Sequence, residues 1–175
     1  DSHFVIVNPP SLPVLLATFE TLTLDVMFKP QAHGNFTKSV TISSDDTLHP
    51  SVSINLNGTG FIITPVVPGT MYATSTSLRT VDVTTGASTQ VGPTGYSQIV
   101  SARVNPVTRE LIGLAPFGAN YSLVRINSAF GDAHPLSSIP LIILKGRAFR
   151  KDTLYIARYN GALYIVDLAT GTPTH

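Results

Sequence analysis

MYATSTSLRTVDVTTGASTQVG, residues 71–92, is the stretch on which the reading of the fold turns. An apolar strand runs into a polar turn. A second apolar strand follows, ends in Asp82, and gives way to Val-Thr-Thr-Gly. The same order returns in ELIGLAPFGANYSLVRINSAFGDAHPL, residues 110–136, and in TLYIARYNGALYIVDLATGTPT, residues 153–174. Met71-Tyr72, Leu111-Ile112 and Leu154-Tyr155 open the first strands. The second strands are expected over 78–83, 123–127 and 163–168. The ends align as Asp82/Gly86, Asn127/Gly131 and Asp167/Gly171, a period of roughly 40–45 residues. Gly86 and Gly171 each follow Thr, in turns that call for a residue at positive φ.

That period is the length of one four-stranded blade of a β-propeller. Working outward, Asn105-Pro106-Val107-Thr108-Arg109 reads as a turn into the second copy. Residues 62–69, IITPVVPG, read as a connector stiffened by Pro65 and Pro68. Residues 1–61 carry the period-2 alternation of half-buried antiparallel strands. Leu22, Leu24, Val26 and Phe28 share one face, Phe36, Val40 and Ile42 form a second run, and Val52, Ile54 and Leu56 a third. Turn residues separate the runs at Lys29-Pro30 to His33-Gly34 and at Ser44-Asp45-Asp46 to His49-Pro50. No helical periodicity or cap appears in this part.

Within that first part, NPP-x-LPV, then LTLDVMFKPQAHGNFTKSVTISSDD, then PSVSINLNGTG resembles the second half of Hydin-type (ASH) immunoglobulin-like domains of bacterial choice-of-anchor surface proteins. Phe28-Lys29-Pro30, Gly34, Ser39 to Ser43, Ser44-Asp45-Asp46 and Gly58-Thr59-Gly60 carry the match, over about a third of the chain. An immunoglobulin-like sandwich needs about seven strands, and residues 1–61 supply four or five. Residues 70–175 resemble the repeats of bacterial extracellular propellers, in which an LY-x-I-D-x-x-TG phrase recurs in each blade. The expected fold is all-β: an incomplete immunoglobulin-like sandwich (1–61), a connector (62–69) and about two and a half propeller-type blades (70–175). A closed propeller takes about four to eight blades. The chain is therefore expected to be a piece of a longer polypeptide, or to be completed by neighbouring copies that share strands.

Composition narrows the functions. The chain has 175 residues, formal net charge +1, 12% charged residues and no cysteine. Lack of cysteine excludes disulfides, thiolate metal sites and a cysteine nucleophile. Sparse charge on a surface rich in Thr, Ser, Asn and Gly fits a secreted or cell-surface protein, and a disulfide-free one tilts the source toward bacteria. No clustered basic face supports a nucleic-acid partner. The longest apolar run, Ile139 to Leu144, contains Pro140 and is far short of a membrane span.

Candidate chemistry is thin. Asp82, Asn127 and Asp167 stand at equivalent positions. Calcium ligation is one reading, but no second carboxylate accompanies them, and acceptance of backbone N–H groups in the following turn is favoured. Asp45-Asp46, the one acidic pair, reads as a turn. His3, His33, His49, His134 and His175 have no metal-ligand spacing. No nucleophile elbow or phosphate loop occurs, so no catalytic residue, metal or cofactor is expected. Lys145, Arg147, Arg150, Lys151 and Arg158, with Tyr159 and nearby Tyr155 and Tyr164, form the one basic and aromatic concentration. It is either a solubilising edge or a contact surface for a glycan or protein. Asn35, Asn57 and Asn120 open Asn-x-Ser/Thr triplets, of consequence only in a eukaryotic secretory pathway. The expected role is non-enzymatic: structure, adhesion or self-assembly, with carbohydrate or protein binding as the alternative.

Overall fold

The computed structural model describes residues 3–118, 120–139 and 144–175. The described residues are all-β, with fifteen strands in five antiparallel sheets. Two compact units divide between Ile62 and Ile63.

The first unit holds β1 (Phe4–Val7), β2 (Asp25–Phe28), β3 (Gly34–Ser43) and β4 (Ser51–Gly60). They form two separate pairs, β1 with β2 and β3 with β4. The second and third apolar runs of the sequence are thus the two arms of one ten-residue hairpin, in which Val40 faces Ile54 and Ile42 faces Val52. Its inner end is an aromatic knot. The rings of Phe4 and Phe28 lie 4.8 Å apart, and those of His3 and Phe36 3.9 Å apart. Gly58 sits directly beneath the Phe28 ring, where a Cβ would meet three ring carbons at 2.7–2.8 Å. The outer end of the hairpin is bare: Ile42, Val52 and Ile54 are 43%, 52% and 47% exposed. Alternation created an apolar face here, and nothing within the described residues covers it. Of the sandwich expected over 1–61, the structure gives four strands in two small sheets.

In the second unit, β5 (Met71–Thr74), β6 (Ser77–Val81) and β7 (Ser88–Pro93) form a three-stranded meander. β8 (Ser101–Val104), β9 (Leu111–Phe117), β10 (Asn120–Ile126) and β11 (Ala133–Ile139) form a four-stranded one. β12 (Leu144–Arg150), β13 (Thr153–Arg158), β14 (Leu163–Val166) and β15 (Pro173–Thr174) form another. The strand pairs read from the three repeats are all present. β8 and β12, which open the second and third sheets, are additions that the repeat phrase does not contain. Part of the apolar run 139–144, including Pro140, lies outside the described residues.

The sheets are sealed to each other in sequence order. Tyr72 and Leu78 of the first sheet pack with Leu111, Ala115, Val124 and Ile126 of the second. Ile112, Leu114 and Leu123 on the second sheet's other face pack with Leu154, Ile156 and Val166 of the third. Two glycines allow the first junction to close. Gly92 of β7 lies against the Phe130 carbonyl and Gly131, and Gly113 of β9 leaves the space that Ile99 fills. Thr94, fully buried, donates its hydroxyl to the Thr76 carbonyl at 2.9 Å, while its own carbonyl accepts the Ala133 N–H at 3.0 Å. The stretch expected as a connector is packed into this unit. Val66 is buried in the first junction and donates its N–H to the Arg109 carbonyl, and the Ser128 hydroxyl donates to the Pro65 carbonyl at 2.7 Å.

Candidate functional site

The repeated Asp and Asn residues close each meander by one local device. Asp82 Oδ1 accepts the N–H groups of Thr84 and Thr85 at 2.7 and 3.0 Å. Asp167 Oδ1 accepts those of Ala169 and Thr170 at 2.8 and 3.4 Å. Asn127 Oδ1 accepts the Ala129 N–H at 2.9 Å. In each loop the glycine four residues on donates its N–H back to the Asp or Asn carbonyl, at φ of 72°, 88° and 70° for Gly86, Gly131 and Gly171. The spacing is fixed because an acceptor two atoms from the backbone reaches the next N–H groups only in a tight turn.

A fourth loop follows the same plan without the sequence signature. Asn105 Oδ1 accepts from Val107 and Thr108 at 2.9 and 3.2 Å, and Arg109 donates to the Asn105 carbonyl. Arg109 takes the glycine position at φ 60°. The cue was Asn105 itself, four residues ahead of a residue not usually found in that conformation.

These hydrogen bonds have an electrostatic consequence. The N–H groups of Thr85, then Thr84, hold the Asp82 carboxyl below its ordinary value of 3.8, and those of Ala169, then Thr170, do the same for Asp167. The fold thus favours the charged forms. Their stabilisation is complete above the unfolded value of 3.8 and is lost as pH falls through it toward the lower folded values. The unfolding midpoint is expected to drop with acid below about pH 4. An Asp82→Asn/Asp167→Asn double variant keeps the acceptor oxygens and loses part of that slope, as followed by thermal melts between pH 2 and 6. The Asn105 and Asn127 loops already use the uncharged form.

The basic and aromatic concentration is not brought to one place. Arg147 lies on the face of β12 turned to the second sheet and donates to the Ser101 carbonyl of β8 at 3.2 Å. Burial, followed by the nearby Arg103 charge, pushes its guanidinium down to about 10. Arg158 stands over the Tyr164 ring at 5.8 Å, with a 3.4 Å hydrogen bond to its hydroxyl. Arg150 and Lys151 lie at the β12–β13 turn, whereas Arg158 ends β13 and Tyr159 follows it, at the opposite end of the sheet. The strand rise separates the two ends by about 20 Å. The Lys145 side chain lies outside the described residues. Arg125, which the sequence did not single out, ties the junction instead: it donates to the Leu168 carbonyl at 2.9 Å and lies 3.6 Å from Glu110.

Asp46 reads in the structure as a turn residue: its Oδ1 accepts the Leu48 N–H at 2.8 Å, and His49 lies 3.3 Å from its Oδ2. Among the described residues no three His, Asp or Glu side chains group as metal ligands would. No described helix is long and apolar enough to cross a membrane.

What does gather is apolar surface on the two outer faces of the three-sheet stack. On β14, Tyr164 and Val166 turn to the second sheet while Leu163 and Ile165 turn away, 53% and 44% exposed. Register places Ala157 beside Leu163 and Tyr155 beside Ile165, and then Gly146 and Ala148 beside Ala157 and Tyr155. At the other end of the stack Met71, 51% exposed, pairs with Val81, and Ala73 is exposed on the same face of β5.

No family model, curated protein or solved structure matches this chain.

Proposed function

We propose that the chain is a non-enzymatic structural or adhesive module of a secreted or cell-surface bacterial protein, and that it self-assembles. In this reading residues 1–61 are the C-terminal part of an immunoglobulin-like sandwich, and residues 70–175 are propeller-type blades. The observation that carries it is the contrast between faces of the same sheets. The inner faces bury Leu, Ile and Val completely, while the outer faces leave Leu163, Ile165 and Met71 about half exposed. Contiguous exposed apolar faces mark interaction surfaces, and sheets of this kind are built to stack in series. The partner is therefore protein: another copy, or neighbouring domains of the same polypeptide. Negative-stain electron microscopy of the natural material, with light scattering, tests this. Regular rings or filaments are expected, and a population of single particles at all concentrations would sink the self-assembly reading.

The alternative is a glycan- or protein-binding surface. It is favoured by the Arg158–Tyr164 contact beside Tyr159, which is 69% exposed at the end of β13. Glycan-array binding abolished by Tyr159→Ala would support that reading over assembly.

A further inference from the structure

We propose that the edge of the junction between the second and third sheets, where β8 and β12 adjoin, is a binding site for one oxyanion group, a carboxylate or a sulfate, held by Arg103 and Arg147. The site lies within one chain and does not depend on self-assembly.

Register aims both side chains into the same layer. Arg103 pairs with Ile112 across β8 and β9, so it projects from the side of the second sheet that bears Ile112 and Leu114. Arg147 pairs with Ile156 across β12 and β13, so it projects from the side of the third sheet that bears Leu154 and Ile156. Cross-strand partners share a face, and these two faces close on each other. Arg147 Nη1 donates to the Ser101 carbonyl at 3.2 Å, and Arg103 Nη1 donates to the carbonyl of the next residue, Ala102, at 3.1 Å. The two guanidinium groups are thus anchored one residue apart on the same edge strand. Their charges act on each other: after burial, Arg103 is the cause that lowers Arg147 to about 10.

The chain gives these two arginines no acid. Arg125 also pairs with Ile112 and enters the same layer, but Glu110 lies 3.6 Å from it. His134, opposite Arg125, has Asp132 at 3.2 Å. Among the described residues no Asp or Glu pairs with Arg103 or Arg147. Two like charges held together, one of them half-buried, are unfavourable until an anion joins them. A guanidinium carries five N–H donors in a planar fork. Each of these spends one nitrogen on a backbone carbonyl, and the rest of both forks remains for a ligand. Such forks match the paired oxygens of a carboxylate or a sulfate. Tyr121, the other group whose charge bears on Arg147, packs against the same junction and brings a hydroxyl to it. Arg103 is exposed, so the site opens to solvent. A free oxyanion can enter it, and so can the acidic group of a sugar chain.

Isothermal titration calorimetry on the whole chain tests the site, with sulfate, glucuronate and a glucuronate hexamer as probes at an ionic strength held constant with chloride. Arg103→Gln removes one fork at an exposed position. Arg150→Gln removes the same charge at the β12–β13 turn and serves as the control. Wild type is expected to bind sulfate and glucuronate saturably, one per chain. Arg103→Gln is expected to weaken both at least about tenfold, and Arg150→Gln to leave both unchanged. A hexamer bound at least about tenfold more tightly than glucuronate identifies an acidic polysaccharide as the source of the group, and equal affinity identifies a free oxyanion. Thermal melts in chloride alone add a readout that a merely solvated Arg103 would not move. There Arg103→Gln is expected to raise the midpoint by about 1–2 °C by relieving the repulsion. Absence of saturable binding to wild type, equal losses in the two variants, or a lower midpoint for Arg103→Gln in chloride overturns the site.

Discussion

Gly92→Ala is expected to destabilise the second unit by about 3 kcal/mol or more, read as a lowered midpoint in urea unfolding. Gly92 is buried where β7 crosses the Asn127 loop, and a Cβ there would run into the Phe130 carbonyl and the Gly131 backbone. A backbone obstacle cannot rotate aside as a side chain can, so the first junction must open. Gly86→Ala supplies the contrast. It has φ of 72° but nothing within 4 Å of its added carbon. Its cost is the conformational one alone, about 1–2 kcal/mol. Equal losses for the two variants would mean that the contact between Gly92 and Phe130 does not hold the sheets together.

Leu123→Ala is expected to cost about 3–4 kcal/mol. Leu123 is 1% exposed in the layer between the second and third sheets, with Ile112, Leu114, Leu154, Ile156 and Val166 around it. The substitution leaves a cavity that two facing sheets cannot collapse to fill. Leu163 holds the same place in the third sheet and is 53% exposed. Leu163→Ala is therefore expected to cost the single chain under about 0.5 kcal/mol. Measured at dilution by chemical denaturation, the pair of values tests the repeat register directly. A large loss for Leu163→Ala in the monomer would show that its face is covered within one chain.

The loops were the part of this fold most readable from sequence, because their chemistry is local. An Asp or Asn acceptor, two or three N–H groups and a residue at positive φ lie within five positions, so Asp82/Gly86, Asn127/Gly131 and Asp167/Gly171 could be aligned directly. The Asn105 loop escaped the alignment because Arg109 fills the glycine place at φ 60°. β8 and β12 escaped because they are edge strands: SARV is too short to show alternation, and the charges of LKGRAFR suggested a surface rim. The direction of Arg147 was likewise hidden. Arg150 and Lys151 nearby are exposed, yet strand alternation turns Arg147 inward to the Ser101 carbonyl. In the first unit Ile42 belongs to one alternating run of the sequence and Val52 and Ile54 to another, and the hairpin register joins them into one face. Alternation says that one side of a strand is apolar, not what covers it, and here that side is about half exposed.

The same limit bears on function. A sheet face is made by residues spread over several strands, so Tyr155, Ala157, Leu163 and Ile165 become one surface only after register is known. The basic and aromatic residues singled out from sequence separate in the same way: Arg147 braces a junction and Arg158 stacks on Tyr164. Arg150 and Lys151 lie at one end of their sheet, and Tyr159 at the other.

In the function proposed above, this stack of sheets is completed by more of itself. Sedimentation velocity of the wild-type chain across a wide concentration range tests it most directly. A monomer at high dilution that grows into regular rings or filaments as concentration rises is the expected result. A single monomeric boundary at every concentration would contradict it.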